Sequence, residues 1–145
     1  MRGALSPRVR AEVTTSQRGG GYLLKSLLIV DDEPVICDLV ADLFEHSGFE
    51  VRCAHSAKEA YAALAATNGV AVLITEINLG PGAEGFALAR AARERNQNVA
   101  VIYISGGMSP DSARTHGVSG SRFVQKPFTV DDLLDALEEQ LGDAV

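Results

Sequence analysis

No apolar run in this sequence approaches the roughly 20 residues that a membrane-spanning helix needs; the longest, Ser26 to Val30 and Val70 to Ile74, are only strand length. The amino terminus has arginines but no continuous apolar segment, so it does not read as a secretory leader, and the cytoplasm is the expected compartment. Cysteine is scarce. Cys37 and Cys53 lie far apart, with no CxxC or Cys/His cluster, so neither a structural zinc site nor a disulfide framework is expected. Both have apolar neighbours (Val35 and Ile36; Val51 and Ala54) and are expected to be small buried hydrophobes. His46, His55 and His116 show no metal-ligand spacing and are expected at the surface. Excess positive charge is also missing where it would matter. The net charge is −6. Residues 1–25 carry five basic side chains and one acid, and the remainder eight basic and eighteen acidic. An acidic domain repels a phosphate backbone, so nucleic-acid binding is not expected.

What is present is enough for one domain. The chain has 145 residues, 46% hydrophobic and 22% charged, which suits a single buried core. Residues 1–22 are rich in Arg, Ser, Thr and Gly without a helical or strand period; they read as a flexible extension, and residues 23–145 as the folded domain.

From Leu23 the pattern becomes regular. Ser26 to Val30 reads as a strand buried on both faces, ending in Asp31-Asp32. Pro34 suits a first helical position; Ile36, Leu39, Val40, Leu43 and Phe44 follow at helical spacing, and Gly48 closes the helix. Phe49 to Ala54 reads as a second strand. Ser56 and Glu59 form a capping box opening a helix through Tyr61 and Leu64. Val70 to Ile74, Val99 to Ile104 and Ser121 to Gln125 read as three further strands. Gly85 to Arg95 reads as an alanine-rich helix, and Ser109 to His116 as a weakly patterned one. Thr129 and Asp132 cap a last helix with Val130, Leu133, Leu134, Leu137 and Leu141 on one face.

Five strand–helix units imply a parallel sheet with helices on both faces. In such sheets ligands bind beyond the carboxyl ends of the strands, where the strand order switches. The residues at those ends are Asp31, Asp32, Thr75, Glu76, Ser105 and Lys126. Asp31 and Asp32 could merely cap the following helix, but adjacent acids at a buried strand end are costly without a counter-ion. Ser105 before Gly106-Gly107 could be turn chemistry, Lys126 a solvated loop lysine, and Phe123 fixed core.

Four segments together resemble bacterial response-regulator receiver domains of the CheY-like kind. Leu28-Ile29-Val30-Asp31-Asp32-Glu33-Pro34 is similar to their acidic-pair strand, and Leu73-Ile74-Thr75-Glu76-Ile77-Asn78-Leu79 to their phospho-acceptor strand. Val101 to Gly106 is similar to their switch strand, and Phe123-Val124-Gln125-Lys126-Pro127-Phe128 to their closing Lys-Pro segment. The resemblance runs from about Leu24 to Leu141. It implies a flavodoxin-like α/β fold with a five-stranded parallel sheet of order 2-1-3-4-5. It implies phosphorelay signalling, with a histidine kinase or phosphotransfer protein upstream. A downstream protein target would engage the face of the fourth helix, fifth strand and fifth helix; homodimer formation is left open. Mg²⁺ is the implied cofactor, held by Asp31, Asp32, the acceptor position Glu76 and the backbone carbonyl of Asn78. Lys126 would contact a phosphoryl oxygen, Ser105 would be the switch hydroxyl and Phe123 the switch aromatic. The Lys126–Pro127 bond is a candidate for cis.

Glu76 is the departure that matters, because the family accepts phosphate on aspartate. A Glu carboxylate reaches about 1.5 Å farther by bond geometry, and a misplacement of that size can cost a hundredfold in transfer. Loss of phosphorylation is the first expectation, partial constitutive activity through a Glu76–Lys126 pair the second, slow phosphorylation the last, with Mg²⁺ binding surviving weakly. Gly80 also intervenes where the family often has proline after the leucine. No output domain is expected after the last helix, so output is expected through protein contact rather than catalysis. The rival reading is a Mg²⁺-dependent aspartyl-phosphate-type phosphatase on a related fold, which Asn78 disfavours by standing where such enzymes keep a general acid. A flavodoxin-type cofactor site is disfavoured by the two acids after the first strand.

Overall fold

The computed structural model describes residues 17–18, 21–22, 25–82 and 84–143. Its main elements alternate: β1 (Ser26–Val30), α1 (Pro34–Glu45), β2 (Glu50–Ala54), α2 (Ala57–Ala65), β3 (Val72–Glu76), α3 (Glu84–Arg95), β4 (Ala100–Ser105), α4 (Pro110–His116), β5 (Arg122–Gln125) and α5 (Val130–Asp143). All strands pair in parallel, in the order β2-β1-β3-β4-β5. This is the expected 2-1-3-4-5 flavodoxin-like sheet.

The sheet sorts side chains by their period of two. Leu27 and Ile29 of β1, with Val72, Ile74, Ile102 and Ile104, face α1 and α5, where they meet Val40, Phe44, Leu133 and Leu137. Leu28 and Val30, with Leu73, Val101 and Tyr103, face α2, α3 and α4, where they meet Leu64, Phe86, Leu88 and Ala113. The central strands are unbroken apolar runs because both faces are covered. Helix ends follow their sequence signals. Ser56 accepts the Glu59 N–H at the start of α2, and Thr129 and Asp132 bond reciprocally at the start of α5. Gln140 of α5 does what no pattern foretold: its amide bonds both the N–H and the carbonyl of Val101, extending the β4 ladder where β5 is too short.

Several expectations need correction. β3 starts at Val72 rather than Val70 and runs through Glu76, which pairs with Ile104. Leu39 and Tyr61, expected on buried helix faces, are exposed. Cys37 is buried but Cys53 is exposed, because β2 is a sheet edge covered on one side only. In the extension, Gln17–Arg18 and Gly21–Tyr22 pair as a two-residue antiparallel ladder; the rest of residues 1–22 lies outside the described residues. Among the described residues no helix is long and apolar enough to cross a membrane.

Gly85 ties α3 to the end of β3. Its N–H bonds the Ile77 carbonyl at 2.9 Å, and a Cβ there would lie 2.4 Å from the Glu76 carbonyl oxygen and 2.8 Å from Ile77 Cα. Gly82 has room, its Cβ meeting only the tip of Glu84 at 4.0 Å. Gly85→Ala is expected to destabilise the fold by about 1–3 kcal/mol in urea unfolding, and Gly82→Ala by no more than about 0.5 kcal/mol. Equal midpoints would mean that the close approach imposes no constraint.

Candidate functional site

The carboxyl ends of β1, β3, β4 and β5 converge on one ammonium group. Lys126 follows β5, and its backbone N–H bonds the Ser105 carbonyl at 2.9 Å; the Lys126–Pro127 peptide is cis. Its Nζ lies 2.6 Å from Glu33 Oε2, 2.9 Å from Asp31 Oδ2 and 3.8 Å from Glu76 Oε2. Asp31 is fully buried. The Asp31 N–H bonds the Ala54 carbonyl at 3.0 Å, and its Oδ1 accepts the Glu33 N–H at 2.9 Å. A buried carboxylate persists only when paired and hydrogen-bonded, and Lys126 supplies that pair.

Carboxylate oxygens of Asp31, Asp32 and Glu33 lie within 4.8 Å of one another, the first buried and the other two exposed. A donor set of oxygens alone suits a hard divalent cation such as Mg²⁺. Glu76 adds to that fit: its carboxyl is 13% exposed, and Oε2 is buried without a hydrogen-bond partner. An orphaned acceptor of this kind is costly unless a donor or cation reaches it.

The other expected residues are placed as follows. Ser105 is buried at the end of β4, but its Oγ accepts the N–H groups of Gly107 (3.2 Å) and Met108 (3.1 Å), closing its own loop. Among the described residues no hydrogen bond joins this hydroxyl to Glu76 or to the Lys126 ammonium. Phe123 is half-buried against the cluster that includes Met108, Val118 and Tyr103. Asn78 is exposed two residues beyond β3. Asp31, Glu76 and Lys126 are thus in contact, with Asp32 beside them, while Ser105 meets Lys126 through its backbone carbonyl and Phe123 packs against the neighbouring apolar cluster. Sequence reasoning missed Glu33, the shortest contact of Lys126. The signal was available, since Glu33 is the third acid in the run Asp31-Asp32-Glu33.

Burial and charge shift the site's ionisation. Burial pushes Glu76 up from 4.5 to about 7; Lys126 pulls it down, and the negative charges of Asp31, Asp32 and Glu33 push it up further. Burial also raises Asp31, against the opposing Lys126 and Glu33 N–H contacts. Burial alone would lower Lys126, but the bonds to Glu33 and Asp31 and the surrounding negative charge outweigh it and raise its pKa.

The Glu76 shift has a consequence for stability. Between its ordinary 4.5 and about 7, the unfolded chain carries a charged Glu76 and the folded chain largely a neutral one. Its contribution is fully present below 4.5 and is lost as pH rises through 7. Glu76→Gln removes that loss. In metal-free buffer the variant should gain on the unaltered chain by about 1–2 kcal/mol between pH 4.5 and 8, discounted for solvent screening. Denaturant unfolding across that range measures it, and a pH-independent difference would contradict the shift.

Comparison with known proteins agrees with this geometry. The family model described as response regulator receiver domain matches residues 27–138. The nitrogen assimilation regulatory protein NtrX of Azorhizobium caulinodans is 33% identical over 116 residues, covering 79% of this chain and 26% of that protein. The response regulator Rre1 of Synechocystis is 34% identical over 112 residues, covering 74% and 48%. The chain therefore spans half or less of these relatives. A response regulator receiver protein from Sinorhizobium medicae superposes with a TM-score of 0.73 at 28% identity, covering 81% of this chain and 94% of that one. The matched segment begins in β1 and ends in α5, enclosing every strand of the sheet and every charged group around Lys126, and on that basis the chain belongs to the response regulator receiver domain family.

Proposed function

We propose that this receiver domain of two-component signalling works as a protein-interaction module whose phosphoryl input is lost or strongly reduced at Glu76. The observation supporting the reading is that the residue at the expected acceptor position is Glu76, whose Oε2 lies 3.8 Å from Lys126 Nζ. Phosphoryl transfer is mostly positioning and charge stabilisation, and the longer arm displaces the attacking oxygen by about 1.5 Å. Two observations weigh on whether Glu76 also imitates the phosphorylated state. Its closeness to Lys126 favours imitation. Against it, Lys126 bonds Glu33 and Asp31 more tightly, and Ser105 is turned to its own loop. Deficiency is therefore the stronger reading, with partial constitutive activity as its companion.

Receiver domains generally bind Mg²⁺ at an acidic pocket. Here Asp31 and Asp32 would hold it, with Glu76 and the Asn78 carbonyl as further oxygens, supported by the all-oxygen donor set and the orphaned Glu76 Oε2. When bound, the cation neutralises charge on a transferring phosphoryl group. Receiver domains interact with histidine kinases or phosphotransfer proteins; in our reading this one does so in the cytoplasm and passes its signal to a protein through the α4–β5–α5 face, with a homodimer as one form the contact can take. Receiver folds are generally not enzymes, and the phosphatase reading is not favoured: Asn78 cannot act as a general acid.

The test is intact mass after incubation with Mg²⁺ and a small-molecule phosphodonor, beside Glu76→Asp. We expect only the aspartate variant to gain a phosphoryl group. Labelling of the unaltered chain to a similar extent would make Glu76 a working acceptor and sink the proposal. Failure of both would leave the family and fold standing and remove the assigned site.

A further inference from the structure

Helix α1 and strand β2 bring the chain's two cysteines together beside the acidic cluster. Cys37 is 1% exposed on α1, whereas Cys53 is exposed on the edge strand β2. Cys53 Sγ reaches to 3.7 Å from the backbone carbonyl of Cys37, which places the exposed sulfur against the residue that carries the buried one. Cys37 Sγ lies 3.8 Å from the Asp31 carbonyl, 3.9 Å from the Ala54 carbonyl and 3.7 Å from His55 Nδ1. His55 Nδ1 in turn lies 3.3 Å from the same Asp31 carbonyl. Phosphoryl chemistry uses neither sulfur. An exposed thiol seated against the backbone of a residue with a buried thiol has the placement of a peroxidatic cysteine beside its resolving partner.

We propose that Cys37 and Cys53 form a reversible redox pair, oxidised by hydrogen peroxide to an intramolecular disulfide linking α1 to β2. Exposure decides the order. Cys53 reacts first: its sulfur bonds to one peroxide oxygen, the O–O bond breaks, and water leaves, giving the sulfenic acid. The Cys37 sulfur then attacks that sulfur; the S–O bond breaks, the S–S bond forms, and the thiol proton leaves with the hydroxyl as a second water. Both sulfurs are oxidised and one peroxide is reduced to two waters. Burial raises the pKa of both thiols, Cys37 to about 12, so little thiolate is present and the reaction is slow. Neighbouring placement favours the disulfide over further oxidation of Cys53. Oxidation also removes the S–H of a sulfur that lies 3.8 Å from the Asp31 carbonyl, and so couples redox state to the loop carrying Asp31, Asp32 and Glu33.

The test is peroxide treatment of the full chain, followed by alkylation, non-reducing trypsin digestion and mass spectrometry. Cleavage after Lys25, Arg52 and Lys58 separates the cysteines, so the disulfide would join peptide 26–52 to peptide 53–58. We expect a monomer lighter by two hydrogens, the joined peptide, and full reversal by a dithiol reductant. Cys37→Ser should instead accumulate oxygen on Cys53, and Cys53→Ser, altered only at an exposed position, should stay unmodified under the same conditions. Oxygen adducts on Cys53 with Cys37 still alkylatable in the unaltered chain would overturn the proposal. So would a disulfide-linked dimer, or two unreacted thiols.

Discussion

Removing Asp31 from water is the constraint around which this end of the molecule is arranged. Its carboxylate stands at zero exposure beyond the end of β1, and burying such a charge alone costs several kcal/mol. Lys126 offsets that cost, and the geometry that delivers it spans the whole sheet: β5 must lie beside β4 for the Lys126 N–H to find the Ser105 carbonyl, and β4 must lie beside β3 to set Glu76 opposite Ile104. Strand order, the cis Lys126–Pro127 peptide and the acidic run after β1 all bear on where one Nζ sits.

With that ion pair in place, Glu76 enters a site whose lysine is already committed. Two nearer carboxylates hold Nζ, so Glu76 keeps a buried oxygen without a donor and a carboxyl pushed up to about 7. An aspartate would stop about one methylene short of this position. In our reading of Glu76 as the acceptor position, the longer arm therefore changes its reach. The same loop also lies against the cysteines, because Cys37 Sγ sits 3.8 Å from the carbonyl of the residue whose side chain holds Lys126. The acidic cluster and the two cysteines thus share one stretch of backbone.

The strands were legible because both faces of β1, β3 and β4 are covered, leaving unbroken apolar runs that end abruptly in polar residues. The capping pairs Ser56/Glu59 and Thr129/Asp132 were legible because their bonds are local. Edge and surface positions were less so. Cys53 looks apolar in its local sequence, yet it lies exposed because β2 has a neighbour on one side only. Tyr61 and Leu39 fit a helical stripe but sit at its margin, where coverage depends on what packs opposite. The Gln140 clasp on Val101 joins residues 39 apart, which no periodicity records.

The sequence by itself determined the α/β class, the five strand–helix units and the identity of the groups at the strand ends. These follow from local periodicity, capping chemistry and motif order, and all are read within a few residues along the chain. Only the tertiary structure decided which acids claim Lys126, that Glu33 is the nearest of them, that Ser105 turns to its own loop, and that Cys37 and Cys53 meet. Those outcomes depend on distances between elements far apart in sequence, and on which side of the sheet edge is left open to water.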